Sequence, residues 1–214
     1  MLIKVCGITS AGDARDAVAA GATALGFNFF ARSPRFVEPA VLAEWIGEAP
    51  GVTESGEPVL RVGVFVNEDA ARVAEIVKLC RLDVAQLHGA AGAVSVRTWL
   101  ARSVDASFRA EDLTDGPEAG KPEAWLLDAP AGALHGGTGT TFDWALVRGL
   151  RHRIVLAGGL DGGNVARAIE VARPWGVDAC SRLESAPGKK DRAKVEAFVA
   201  AARGAFAWME TDTK

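Results

Sequence analysis

Apolar residues in this chain gather in short continuous runs, and between the runs they recur every three or four positions. The runs cover residues 2–6, 24–29, 60–66, 83–87, 124–128, 153–157 and 177–181. Continuous rather than alternating apolar character is what parallel strands need when both faces of their sheet are covered. The intervening segments carry helical stripes. Alanines and Val18 share a side over 13–20, Val41, Leu42, Trp45 and Ile46 over 39–47, and Val73, Ile76, Val77 and Cys80 over 69–82, with 164–172 and 192–202 behaving alike. Strand and helix alternate, which predicts an α/β fold with a parallel sheet. A gap between 87 and 124 leaves room for one more strand, for which 104–108 is the candidate. Eight β/α units in 214 residues predict a (β/α)8 TIM barrel, a single compact domain shorter than the ~250 residues usual for that fold. A doubly wound open sheet is the structural rival. The expected barrel spans 1–205 and a C-terminal tail 206–214, with exposed loops at 50–58 and 114–122.

Composition narrows the function classes. The chain is 49% hydrophobic, enough for a proper core, and 24 basic against 27 acidic residues give a net charge of -3. No basic stripe or polybasic run argues for nucleic acid or an anionic membrane, and no apolar run is long enough to span a bilayer. The N-terminus enters a strand pattern directly, without the marks of a signal peptide. Three cysteines, Cys6, Cys80 and Cys180, are odd in number and widely spaced, which fits neither a disulfide framework nor a zinc pattern. A reducing, cytoplasmic setting is the expectation.

Polar residues cluster where the predicted strands end, the place where parallel α/β folds collect their chemistry. Cys6 closes the first run, "ARSPR" (31–35) follows the second, "QLHG" (86–89) closes the fourth, and Asp128 ends "AWLLDA". "LAGGL" (156–160) and "VDACS" (177–181) close the last two. Each has a structural reading as well. Cys6 alone fits a core filler, Asp128 a cap, Arg35 a surface ion pair, His88 a bonded core histidine and Gly158-Gly159 a tight turn. Glycines after an apolar strand and before a helical segment also suit backbone amides turned toward an anion. "HGGTGTTFDW" (135–144) reads equally as a linker or as a loop that closes over a ligand, with Phe142, Asp143 and Trp144 opening a helix.

Together, "KVCGIT", "GFNFFARSPR", "VGVFVN", "QLHG", "LLDA", "GGTGTTFDW", "LAGGL…NV", "GVDACSRLE" and "PGKKD" resemble the phosphoribosylanthranilate isomerase family of tryptophan biosynthesis. The match runs in the family's order from Lys4 to Asp191. The resemblance implies a (β/α)8 barrel without metal or cofactor and an Amadori rearrangement of N-(5-phosphoribosyl)anthranilate. By position it implies Cys6 as general base and Asp128 as general acid. Arg35 would meet the anthranilate carboxylate and Asp178 the substrate amine, and Gly158, Gly159 and Ser181 would hold the phosphate. Gln86 and His88 join the expected substrate-binding set. The partners implied are a small sugar-phosphate substrate and at most a second copy of the chain, as monomer or homodimer.

The chemistry asks for those residue types. Opening the ribose ring requires a carboxyl that stays protonated, so burial must lift Asp128 above the ~3.9 of a free aspartate. Removing the C2 proton requires a base, and a thiol needs only a modest downward shift from ~8.5 to serve at neutral pH. One departure stands out. The family's phosphate loop usually reads Ser-Ser-Gly-Val-Glu, and here it is Cys180-Ser181-Arg182-Leu183-Glu184. Arg182 in place of glycine predicts crowding, an unfavourable backbone angle, or a compensating charge. A non-catalytic sugar-phosphate-binding barrel and a related aminoaldose isomerase are the alternative functions.

Overall fold

The computed structural model describes residues 1–89, 94–113, 121–130 and 141–212. Eight parallel strands close into a barrel in chain order: β1 (Leu2–Cys6), β2 (Ala24–Asn28), β3 (Leu60–Val66), β4 (Val84–His88), β5 (Arg97–Ser103), β6 (Ala124–Asp128), β7 (Ile154–Leu156) and β8 (Gly176–Ala179). Helices α1 (Ala11–Ala19), α2 (Pro39–Trp45), α3 (Ala70–Leu79), α4 (Val165–Ala172) and α5 (Arg192–Thr211) pack outside. A short antiparallel hairpin, β9 (Glu184–Ala186) with β10 (Lys189–Lys190), follows β8. Helix starts are chemically marked. The side chains of Ser10, Asp69 and Asp191 accept from Asp13 N, Ala71 N and Lys194 N.

Strand parity divides the apolar residues into two clusters. Ile3, Val5, Ala85, Leu87, Trp125, Leu127, Val177 and Ala179 face the helices. Leu2, Val84, Ala124, Leu126 and the fully buried Trp99 form a second cluster in the barrel interior. Side chains alternate along a strand with period two. Lys4 and Cys6 therefore point inward with Leu2, and Asp128 inward with Leu126. Asp178, between the outward Val177 and Ala179, points inward as well.

Three expectations change. The fifth strand is β5, Arg97–Ser103, bonded to β4 and β6, and 104–108 lies past its end. Arginines at 97 and 102 hid it by interrupting the apolar pattern. Arg97 stays at the rim because it forms a bidentate pair with Glu123, Nε–Oε2 2.9 Å and Nη2–Oε1 2.8 Å. Second, the described connections after β5 and β6 contain single 3-10 turns, at Ala110–Asp112 and Trp144–Val147, so Asp143 caps a turn rather than a longer helix. Third, α5 continues through position 206. Its stripe of Val195, Phe198, Val199, Ala202, Ala205 and Phe206 keeps a three- and four-residue spacing, and Phe206 is buried in the core. The parts of the expected loops at 114–120 and 135–140 lie outside the described residues.

Candidate active site

Register assembles the site. Lys4 stands beside Asp178 in the β1–β8 pair, and Val5 beside Ala179, so the next step brings Cys6 next to Cys180. On its other side Cys6 faces Gly26, where a Cβ would come within 2.7 Å of Cys6 Sγ and 3.0 Å of Lys4 Nζ. That missing side chain is the space in which sulfur and ammonium meet. Lys4 is fully buried and bonds Asp178 Oδ1 at 2.9 Å. Asp128, at the end of β6, seats its Oδ1 against Gly158, where a Cβ would approach to 2.9 Å. Gly158 and Gly159 have φ of 91° and 60°, the left-handed region that favours glycine, so the turn after β7 can fold against that carboxyl.

Charge follows from this packing. One buried ammonium is set beside three acids, Cys6, Asp128 and Asp178, and cannot compensate all of them. Burial works against the Lys4 charge, but Asp178 and Cys6 together hold its pKa above the usual range. Cys6 is held well below an ordinary thiol: a hydrogen bond from Cys180 acts first, then the Lys4 ammonium, both against burial. Asp128 moves the other way. Burial lifts it to about 6, helped by the negative Cys6 sulfur and opposed by the amide of Ala129. Burial also lifts Asp178 to about 7, against the Lys4 ammonium and with the Cys6 charge. The mouth of the barrel thus holds a sulfur shifted toward its anion and a carboxyl that keeps its proton to higher pH than a free aspartate. That is an acid and a base separated by environment. Cys80 is the contrast: buried against Pro39, its thiol is pushed up to about 11 by desolvation.

A pocket opens beside this pair, lined by Asp128, Gly158, Gly159, Asp178, Ser181 and Arg182. Arg35, in the loop after β2, reaches the cluster at Gly7, where a Cβ would meet its Cδ at 2.8 Å and Cys180 Sγ at 3.0 Å. Its guanidinium is bidentate to Glu184, Nε–Oε1 and Nη2–Oε2 both 2.8 Å, which leaves the Nη1–Nη2 edge for another carboxylate. Lys190 from the hairpin bonds Glu184 Oε1 at 3.0 Å and the Cys180 carbonyl at 3.2 Å. Among the described residues, no group of three or more His, Cys, Asp and Glu side chains is placed to hold a metal ion. No described helix is long and apolar enough to cross a membrane.

The profile of N-(5'phosphoribosyl)anthranilate (PRA) isomerase matches residues 3–201. The chain belongs to the PRA isomerase family. A relative in Solibacter usitatus, named N-(5'-phosphoribosyl)anthranilate isomerase, is 52% identical over 210 residues, 96% of this chain and 99% of its own length. The crystal structure of PRA isomerase from Thermotoga maritima superposes with a TM-score of 0.81 at 33% identity, covering 95% of this chain and 100% of that one. A further solved PRA isomerase, at TM-score 0.78 and 31% identity over 95% of this chain and 99% of its own, is in complex with reduced 1-(o-carboxyphenylamino)-1-deoxyribulose 5-phosphate.

Of the residues expected from the resemblance to PRA isomerases, Asp128, Gly158, Gly159, Asp178 and Ser181 share one pocket. Cys6 and Arg35 join it through the charge network. Gln86 and His88 do not. They lie on β4, across the closed barrel from β8, and bond each other, Gln86 Nε2 to His88 Nε2 at 2.9 Å. Arg182 is not among the positive-φ residues of the described chain, so its departure from the family's glycine costs no backbone strain. Its guanidinium pairs with Asp161 at 3.0 Å at the edge of the pocket it helps to line. Sequence reasoning missed Lys4, Cys180, Glu184 and Lys190 as parts of the site.

Proposed function

We propose that this PRA isomerase family member catalyses the Amadori rearrangement of N-(5-phosphoribosyl)anthranilate to 1-(2-carboxyphenylamino)-1-deoxyribulose 5-phosphate, a step of tryptophan biosynthesis. The observation that carries the residue roles is the split pair at the barrel mouth, Cys6 pushed toward thiolate and Asp128 toward carboxylic acid around one buried lysine. Asp128 gives its proton to the furanose oxygen as the C1–O bond breaks, which leaves an iminium between the anilino nitrogen and C1. The iminium acidifies C2–H. Cys6 takes that proton, the electron pair forms the C1–C2 double bond, and the enolamine tautomerises to the ketone. Asp178, paired with Lys4, faces the substrate amine. The open edge of Arg35 receives the anthranilate carboxylate, and the backbone around Gly158, Gly159 and Ser181 receives the phosphate.

Two measurements test this reading. Expression of the chain in a tryptophan auxotroph lacking this isomerase restores growth, and the purified protein consumes the fluorescent aminoaldose. Tight binding of a reduced product analogue with neither growth nor turnover assigns the chain instead to a non-catalytic barrel.

Arg182 supplies a side-chain cation at the phosphate end, poised on Asp161 and half exposed. Arg182→Gln raises KM by about threefold to tenfold and leaves kcat nearly unchanged, the scale of a charged hydrogen bond discounted for solvent. Inhibition by inorganic phosphate weakens in parallel. An unchanged KM places the phosphate on backbone amides alone.

A further inference from the structure

The Cys6 sulfur has a second thiol beside it that the reaction above does not use. The β1–β8 register brings Cys180 next to Cys6 one step beyond Val5 and Ala179, on the inward-facing parity of Lys4 and Asp178, so the Cys180 thiol is placed to donate to the Cys6 sulfur. Cys180 is itself held in place. Its Sγ packs where a Cβ on Gly7 would be, 3.0 Å away, and its carbonyl accepts from Lys190 Nζ at 3.2 Å. We propose that Cys180 is a positioning residue for the base, aiming the Cys6 sulfur at the substrate and stabilising it as the anion by donating a hydrogen bond.

Which of the two sulfurs carries the charge is decided by their neighbours. Lys190 Nζ is 4.0 Å from Cys180 Sγ, but its charge is answered by Glu184 at 3.0 Å, which Arg35 also grips. Lys4 faces Cys6 from the same strand, and its one carboxylate partner, Asp178, is itself pushed toward its protonated form. Glu184 is held toward its anion and Asp178 toward its acid, so Lys4 answers Cys6 with more of its charge than Lys190 answers Cys180. The remaining charged groups that act on Cys6 come from other elements: Asp128 from β6, Asp178 from β8, Arg35 from the loop after β2 and Lys190 from the hairpin. All of these stay in place when Cys180 is changed, so the contribution of the thiol is separable.

This proposal rests on Cys6 being the base, and the test distinguishes the two. The pH dependence of kcat/KM is measured for the wild type, Cys180→Ala and Cys180→Ser. In parallel, the rate of Cys6 alkylation by iodoacetamide is followed against pH, with the modified peptide identified by mass spectrometry. Cys180→Ala moves the midpoint of Cys6 alkylation, and with it the acid limb of kcat/KM, up by about one pH unit, the size of a lost hydrogen bond to a charged group. Cys180→Ser, whose hydroxyl still donates, returns both to within a few tenths of a unit of wild type. In the wild type alone, Cys6 alkylates at lower pH than Cys180, a readout that survives any failure of the variants to fold. A Cys6 midpoint unmoved in Cys180→Ala, or the opposite order of reactivity in the wild type, overturns the proposal. Alkylation that shifts while the kcat/KM limb does not move leaves the thiol pair intact and removes Cys6 as the base.

Discussion

Cys6→Ala lowers kcat by at least about a hundredfold, the range in which a general base contributes, while KM changes little. The expectation follows from what surrounds the sulfur. Cys6 fills the space left by Gly26 and contacts Lys4, so its removal takes away the proton acceptor without opening a large apolar cavity. Cys6→Ser is nearly as damaging. A serine hydroxyl fits the same space and accepts the same hydrogen bond, but its proton is far harder to remove. Single-turnover consumption of the aminoaldose separates this loss from any change in binding. A Cys6→Ala enzyme retaining a third or more of wild-type kcat removes this residue from the reaction.

Asp128→Asn produces a loss of similar size, about a hundredfold to ten-thousandfold in kcat, because an amide occupies the carboxyl's place against Gly158 but has no acidic proton to give. The pH profile carries a second signature. In the proposed mechanism the acid form of Asp128 is the active one, and burial lifts its pKa to about 6 in the free protein. In the wild type, kcat/KM therefore falls as pH rises through about 6, and the thiolate requirement of Cys6 makes it fall again at lower pH. Bound phosphate and carboxylate add negative charge and exclude water, so the alkaline limb of kcat lies above that of kcat/KM. In Asp128→Asn the residual activity loses its alkaline limb. A limb that persists at about 6 in the asparagine variant assigns that ionisation to another group, with Asp178 at about 7 next in line.

Much of the barrel was legible in the sequence because its inner and outer strand faces are both apolar. Runs such as 2–6 and 124–128 announce themselves, and they end where β1 and β6 end. β5 was not legible for the same physical reason in reverse. Arg97 sits at the rim, paired with Glu123, and Arg102 lies on the outward face, so a strand read by continuous apolar character is lost where these cationic side chains interrupt it. The proposed acid and base, Asp128 and Cys6, were picked out by strand-end position together with the family resemblance. Their charge states were not, because these depend on which residues of neighbouring strands share a register. Lys4 carried a usable signal all the same. A lysine inside an otherwise apolar strand, two residues from Cys6, has the parity of the barrel interior, and a cation buried there needs anions. Glu184 and Lys190 gave no such signal, since the hairpin that folds them over Arg35 is a feature of tertiary packing.

The grip of Glu184 on Arg35 has a thermodynamic consequence for ligand capture. A free arginine side chain carries about 2 kcal/mol of rotamer entropy, which a binding partner ordinarily has to freeze out. Here the freezing takes place when the barrel folds, with Lys190 locking the far side of the same carboxylate. An aryl carboxylate arriving at the open guanidinium edge meets a rigid, oriented dication–carboxylate cluster, and its association enthalpy is not spent on ordering the receptor. Loosening that cluster from behind, by shortening Glu184 to aspartate, should thus appear calorimetrically as a less favourable binding entropy for the product analogue.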